Sequence, residues 1–178
     1  MMIDILKNYT FEFKKYEKGE HIFYIGANAS LFRDFDYQEI RKAKIKIRCN
    51  AIVDENSVSL QMKLIGWVNV QCDVCGDFFN LKIKNNVFLN FKVSNKTIDD
   101  EPELIYLPID AVSINLKKIV YDYSILSLPM KIVHPKNSNG QRMCNPETLK
   151  LLEDFKQNSK GSTIKGLNDL KNKFNNNK

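Results

Sequence analysis

Residues 40–53 read Ile40-Arg41-Lys42-Ala43-Lys44-Ile45-Lys46-Ile47-Arg48-Cys49-Asn50-Ala51-Ile52-Val53. Lys42, Lys44, Lys46 and Arg48 share one parity, and Ala43, Ile45, Ile47 and Cys49 share the other. Successive side chains of a strand point to opposite faces, so this alternation predicts a long β-strand with one basic and one apolar face. Asp54-Glu55-Asn56 supplies a turn. Beyond it Val58, Leu60, Met62, Leu64, Gly66, Val68 and Val70 alternate with Ser57, Ser59, Gln61, Lys63, Ile65, Trp67 and Asn69, which predicts a second strand antiparallel to the first. After a break at residues 72–77, Phe79, Leu81, Ile83, Val87, Leu89, Phe91 and Val93 alternate with Lys82, Lys84, Asn86, Phe88, Asn90 and Lys92, a third strand of the same kind.

Three long strands joined by short turns form an antiparallel meander. Its apolar face must be covered or must curl on itself, so the expected fold is α+β, with the sheet curling into a partial barrel under one or two C-terminal helices. Asn115 can cap a helix whose Leu116, Ile119, Val120, Tyr123 and Leu126 recur at spacings of three and four, and Pro129 ends it. A second helix begins at Asn145-Pro146, with Leu149, Leu152 and Phe155 as its stripe. Shorter strands are expected at Thr10–Tyr16 and His21–Ile25 around Lys18-Gly19, a helical turn within residues 29–39, and a short strand at Leu104–Leu107. Residues 1–155 read as one globular domain and residues 156–178, rich in Lys and Asn, as a mostly flexible tail.

The break at 72–77 carries Cys72 and Cys75 with Gly76 directly after them. Two thiolates three positions apart can turn toward one ion, and a glycine after the second permits the positive φ of a tight knuckle. His134 and Cys144 complete a possible tetrahedral set of three sulfurs and one nitrogen, so a structural Zn²⁺ is expected in a zinc-knuckle hairpin. A redox Cys-x-x-Cys would open a helix after a strand, whereas here strands flank the pair on both sides. At the start of the second helix, the positive end of the dipole would favour the Cys144 thiolate. His21 has no such company.

The chain has 178 residues, a formal net charge of +6, 43% hydrophobic and 27% charged residues. These are the proportions of a globular protein, and the apolar runs are too short to span a bilayer. The N-terminal residues carry no export pattern, so a cytoplasmic location with no membrane partner is expected. The positive balance suggests a polyanionic partner. Lys42, Lys44, Lys46, Arg48, Lys63, Lys82, Lys84 and Lys92, with Trp67 and Phe88 among them, share the outer face of the sheet. That face has two readings, an ordinary solvated surface or an RNA-binding surface. No Gly-rich phosphate loop or Ser-His-Asp set is visible, and four protein ligands leave a zinc ion no position for water, so no enzyme is expected.

Specific strings add a resemblance. Gln71-Cys72-Asp73-Val74-Cys75-Gly76-Asp77-Phe78, then Ile114-Asn115-Leu116 opening a helix that ends Ile125-Leu126-Ser127-Leu128-Pro129, then Val133-His134 and Cys144 resemble the YceD family over roughly positions 35 to 152. His134-Pro135 with Cys144-Asn145 looks most like members from the Bacteroidetes lineage. The resemblance implies a bacterial ribosome-biogenesis factor that supports accumulation of large-subunit ribosomal RNA, with that RNA or a pre-ribosomal particle as partner. Relatives often end in an Asp-Pro-Arg-aromatic string before Leu-x-x-Leu, whereas Ile164–Leu170 keeps the leucines without the aromatic. The alternative is a zinc-stabilised adaptor for a ribosomal protein or another assembly factor, meeting a basic partner through Asp99, Asp100, Glu101 and Glu103.

Overall fold

A computed structural model describes residues 4–6, 8–94 and 104–159. The chain divides into two compact units, Met1–Gln71 with Phe78–Ile132, and Cys72–Asp77 with Val133–Lys178. The strands of the first are β1 (Asp4–Leu6), β2 (Thr10–Phe11), β3 (Gly19–Asn28), β4 (Lys42–Val53), β5 (Ser57–Gln71), β6 (Phe78–Val93), β7 (Leu104–Leu107) and β8 (Ile114–Asn115). Its helices are α1 (Ala29–Arg33) and α2 (Lys117–Ile125).

The meander forms as the alternation predicts. β4 pairs antiparallel with β5 from Lys42↔Asn69 to Val53↔Val58, and β5 with β6 from Ser57↔Lys92 to Gln71↔Phe78. Ile45, Ile47, Cys49, Leu60, Met62, Leu64, Val68, Ile83, Val87, Leu89 and Phe91 are buried in one core on the apolar face. The turn closes with Asp54 N–H donating to Ser57 O (2.9 Å) and Glu55 N–H to Asp54 Oδ1 (2.8 Å). Gly66 is required by the approach of β4, since a Cβ there would lie 2.2 Å from Lys44 O and 2.7 Å from Ile45 Cα.

The sheet is larger than the meander and does not curl closed. Its order is β1-β3-β4-β5-β6-β7, with β1 and β7 as edges that pair parallel to β3 and β6. The expected partial barrel is therefore corrected to an open, mostly antiparallel sheet. Of the expected N-terminal strands, His21–Ile25 lies within β3, whereas Thr10–Tyr16 does not form one strand beside it. Thr10–Phe11 pairs with Ile114–Asn115, and Phe13–Lys15 forms a 3₁₀ turn. The reason is burial: Phe11 stacks on Phe23 at 4.6 Å between ring centroids, and Phe11 and Phe13 enter the core. Each buried phenylalanine stabilises by about 1.5–3 kcal/mol, more than a marginal two-strand hairpin offers.

α2 covers the apolar face, with Leu116 and Val120 buried. Asn115 Oδ1 accepts from Lys117 N–H (2.9 Å), the expected cap, whereas Leu126 is exposed. Asn85 stands on the core parity of β6, and its Nδ2 donates to Tyr123 O near the end of α2 (3.2 Å), which accounts for a polar side chain there. α1 joins this cover through Phe35 stacked on Tyr121 (4.3 Å) and an Asp34–Lys117 ion pair of 2.8 Å.

The second unit holds the 72–77 knuckle, a loop and α3 (Pro146–Ser159). α3 begins as expected, Asn145 Oδ1 accepting from Glu147 N–H (3.0 Å), and runs past position 155. Its Leu152 and Phe155 are exposed. The acidic residues Asp99, Asp100, Glu101 and Glu103, and the tail beyond Ser159, lie outside the described residues. Among the described residues no helix is long and apolar enough to cross a membrane.

Candidate metal centre and basic sheet face

Cys72, Cys75, His134 and Cys144 converge, their ligand atoms all lying within 4.8 Å of one another. Cys72 Sγ is 3.9 Å from Cys144 Sγ, and Cys75 Sγ is 3.4 Å from His134 Nδ1. The cysteines are free thiols, and 3.9 Å is far beyond a disulfide bond. Cys72 and Cys144 are buried, Cys75 and His134 half-buried.

Local sequence builds each half. In the knuckle, Gly76 takes φ 77°, its N–H donates to Cys72 O (2.9 Å), and Cys72 N–H donates to Asp77 O (3.0 Å). Val74 N–H donates to Cys72 Sγ (3.4 Å). The other half is a loop pinned by Asn137, whose Oδ1 accepts from the N–H groups of Asn139 (3.0 Å) and Gln141 (2.9 Å). Gly140 turns at φ 77°, Lys136 bridges to Arg142, and Met143 N–H donates to Pro135 O (3.1 Å). The loop thus closes on itself between His134 and Cys144 and brings those two side chains together.

The thiols differ in acidity. Burial pushes Cys72 up, but the N–H groups of Cys75, Val74 and His134, with the His134 side chain, outweigh it and hold the thiol at about 6. Cys144 is pushed up to about 11 by burial and by its Cys72 and Cys75 neighbours. The stabilisation expected from the start of α3 is therefore outweighed at Cys144. A metal ion would have to displace that proton. The four side chains could together hold a metal ion. Cys49, 0% exposed in the core, stands apart, its thiol raised by burial to about 12.

On the outer face the register sorts the basic residues into rows across the strands. The rows are Asn28–Lys44–Trp67–Lys82, Gly26–Lys46–Ile65–Lys84 and Tyr24–Arg48–Lys63–Asn86, with Lys42 opposite Asn69 beyond the first. Lys42, Lys44, Lys46, Arg48, Lys63, Lys82 and Lys84 are exposed, and these rows contain no acidic residue. Among the described residues the ion pairs engage Lys15, Lys18, Lys117 and Lys118, none of the seven. Half-buried Trp67 lies between Lys44 and Lys82. Phe88 lies in the next row, Ile22–Asn50–Gln61–Phe88, and Lys92 stands apart opposite Ser57. Arg41 went unnoticed in the sequence. It adjoins this face, with its guanidinium 3.7 Å from the Phe78 ring centroid, a contact that no alternation pattern signals.

No curated protein and no solved structure matches the chain. A family model described as large ribosomal RNA subunit accumulation protein YceD matches residues 60–171, which take in the knuckle, α2, His134, Cys144 and α3. That match spans more than half of the chain, which belongs to the YceD family.

Proposed function

We propose that this chain supports accumulation of large-subunit ribosomal RNA by binding RNA, free or in a pre-ribosomal particle, on the outer face of its sheet, without catalysis. Family membership implies the role in RNA accumulation. One observation carries the binding mode: seven cations occupy contiguous rows without an anion among them, and Arg48 stands directly opposite Lys63. Like charges facing each other across a ladder destabilise a sheet by roughly 0.2–1 kcal/mol per pair, a cost that polyphosphate would reverse. Trp67 between two lysines adds a ring on which an unpaired base can stack.

The metal in this reading is Zn²⁺, held by Cys72, Cys75, His134 and Cys144. Zn–S bonds of about 2.3 Å and a Zn–N bond of about 2.0 Å require tetrahedral edges of about 3.8 Å between sulfurs and about 3.5 Å between sulfur and nitrogen. Two of the separations, 3.9 and 3.4 Å, fit, and all of them lie within 4.8 Å. Four protein ligands fill the shell, so the ion's contribution is structural, tying the knuckle to the 134–144 loop.

A protein adaptor is the second reading, favoured by the exposure of Leu151 (57%) and Phe155 (71%) on α3. The test is complementation in cells lacking the protein. The unaltered chain should restore large-subunit ribosomal RNA, and Lys44→Ala/Lys46→Ala/Lys82→Ala/Lys84→Ala should not. Full restoration by that variant, with failure of Leu151→Ser/Phe155→Ser, would favour the adaptor.

A further inference from the structure

Beyond the basic rows, the outer face changes character. Asn50, Ile52, Ser59, Gln61, Phe88 and Asn90 line an open hollow of about 210 Å³. Its row lies two residues along the strands from Arg48 and Lys63, about 7 Å away. Phe88 is 61% and Ile52 55% exposed, so a flat aromatic ring and an aliphatic wall face outward. Between them stand carboxamides. Asn50 Nδ2 donates to Glu20 Oε1 (2.7 Å), and Asn50 Oδ1 is buried with no hydrogen-bond partner. Ser59 Oγ donates to Asn90 Oδ1 (2.8 Å), leaving the Asn90 amino group as a donor.

We infer that this hollow is a base subsite, taking one unpaired nucleobase of an RNA strand whose phosphates lie on the neighbouring rows of cations. The inference rests on the RNA-binding reading and adds to it the chemistry that the hollow selects. A nucleobase offers a π face for Phe88 and a polar edge for the amides. A purely apolar partner would cover Phe88 and Ile52 but leave the Asn90 amino group without an acceptor. Phosphate is disfavoured here because Glu20 lies against Asn50, whereas the rows of Lys46 and Arg48 contain no carboxylate. Trp67 is six residues from Gln61 along β5, about 20 Å. The two rings therefore mark separate bases along one strand, with the cations between them.

The test uses the full chain and a fluorescein-labelled oligoadenylate of about twelve nucleotides, within the range of single-strand sites. Phe88→Ala should weaken binding about tenfold, as expected for loss of one stacked base, while leaving the salt dependence unchanged because no phosphate contact is lost. Phe88→Tyr should restore affinity, and Asn90→Val should weaken it with Phe88 in place. Unchanged affinity in Phe88→Ala, with the unaltered chain binding normally, would overturn the base subsite alone. If the unaltered chain binds no oligoadenylate even at low salt, the RNA reading fails and the subsite with it.

Discussion

Replacing Lys44, Lys46, Lys82 and Lys84 together by alanine removes four of the seven contiguous cations and should leave the fold standing. All four side chains are exposed, and none takes part in an ion pair among the described residues. If each cation on the face neutralises one phosphate of a single strand, log affinity should fall with log salt with a slope of about −5, from about −0.7 per contact. With three cations left the slope should be about −2. Between 50 and 200 mM salt the unaltered chain would then lose roughly 900-fold in affinity and the variant roughly 20-fold. Fluorescence anisotropy across that range gives both slopes. The control removes equal charge elsewhere, at Lys14, Lys15, Lys18 and Lys131, all exposed and off the outer-face rows. That variant should keep a slope near −5. Equal flattening in the two variants would mean that net charge, not this face, sets the affinity.

Cys72→Ser and Cys144→Ser should each lower bound zinc from about one equivalent and reduce the melting temperature by similar amounts, as chelation of the unaltered protein should; a zinc-free preparation indifferent to chelator would remove the metal from the account. Cys49→Ala should keep the zinc, and because burial holds the Cys49 thiol near 12 it should resist alkylation in the folded protein at pH 8, as mass spectrometry after unfolding would reveal. Gly66→Ala puts a methyl 2.2 Å from Lys44 O, so unfolding by denaturant should show a loss of at least about 1–3 kcal/mol, while a variant of unaltered stability would mean that β4 and β5 separate there without cost.

Where the alternation of residues was strict, the fold could be read directly. Ile45, Ile47, Leu60, Met62 and Leu64 fall on the buried face and the lysines between them on the other, because a paired strand leaves each side chain only two directions. The knuckle was legible for the same local reason, since Cys72, Cys75 and Gly76 lie within one turn. Contacts distant in sequence were not. The parallel pairing of β1 with β3 and the antiparallel pairing of β2 with β8 have no local signature, and the burial of Phe11 and Phe13 that decides the second depends on the rest of the core. Lys92 shares parity with Lys84 yet lies outside the basic rows, because parity gives the face and register gives the position along it. Asn50 shares the parity of the outward lysines. Its unpartnered Oδ1 emerges only once β3 brings Glu20 alongside.

Contact between the sheet face and ribosomal RNA can be read in cells by sequencing RNA crosslinked to the protein, with the unaltered chain and the Lys44→Ala/Lys46→Ala/Lys82→Ala/Lys84→Ala variant expressed side by side. Fragments of large-subunit ribosomal RNA should be enriched with the unaltered chain and depleted at least several-fold with the variant. Crosslinks to ribosomal proteins with no enriched ribosomal RNA, or RNA crosslinks indifferent to the four substitutions, would rule out RNA contact by this face.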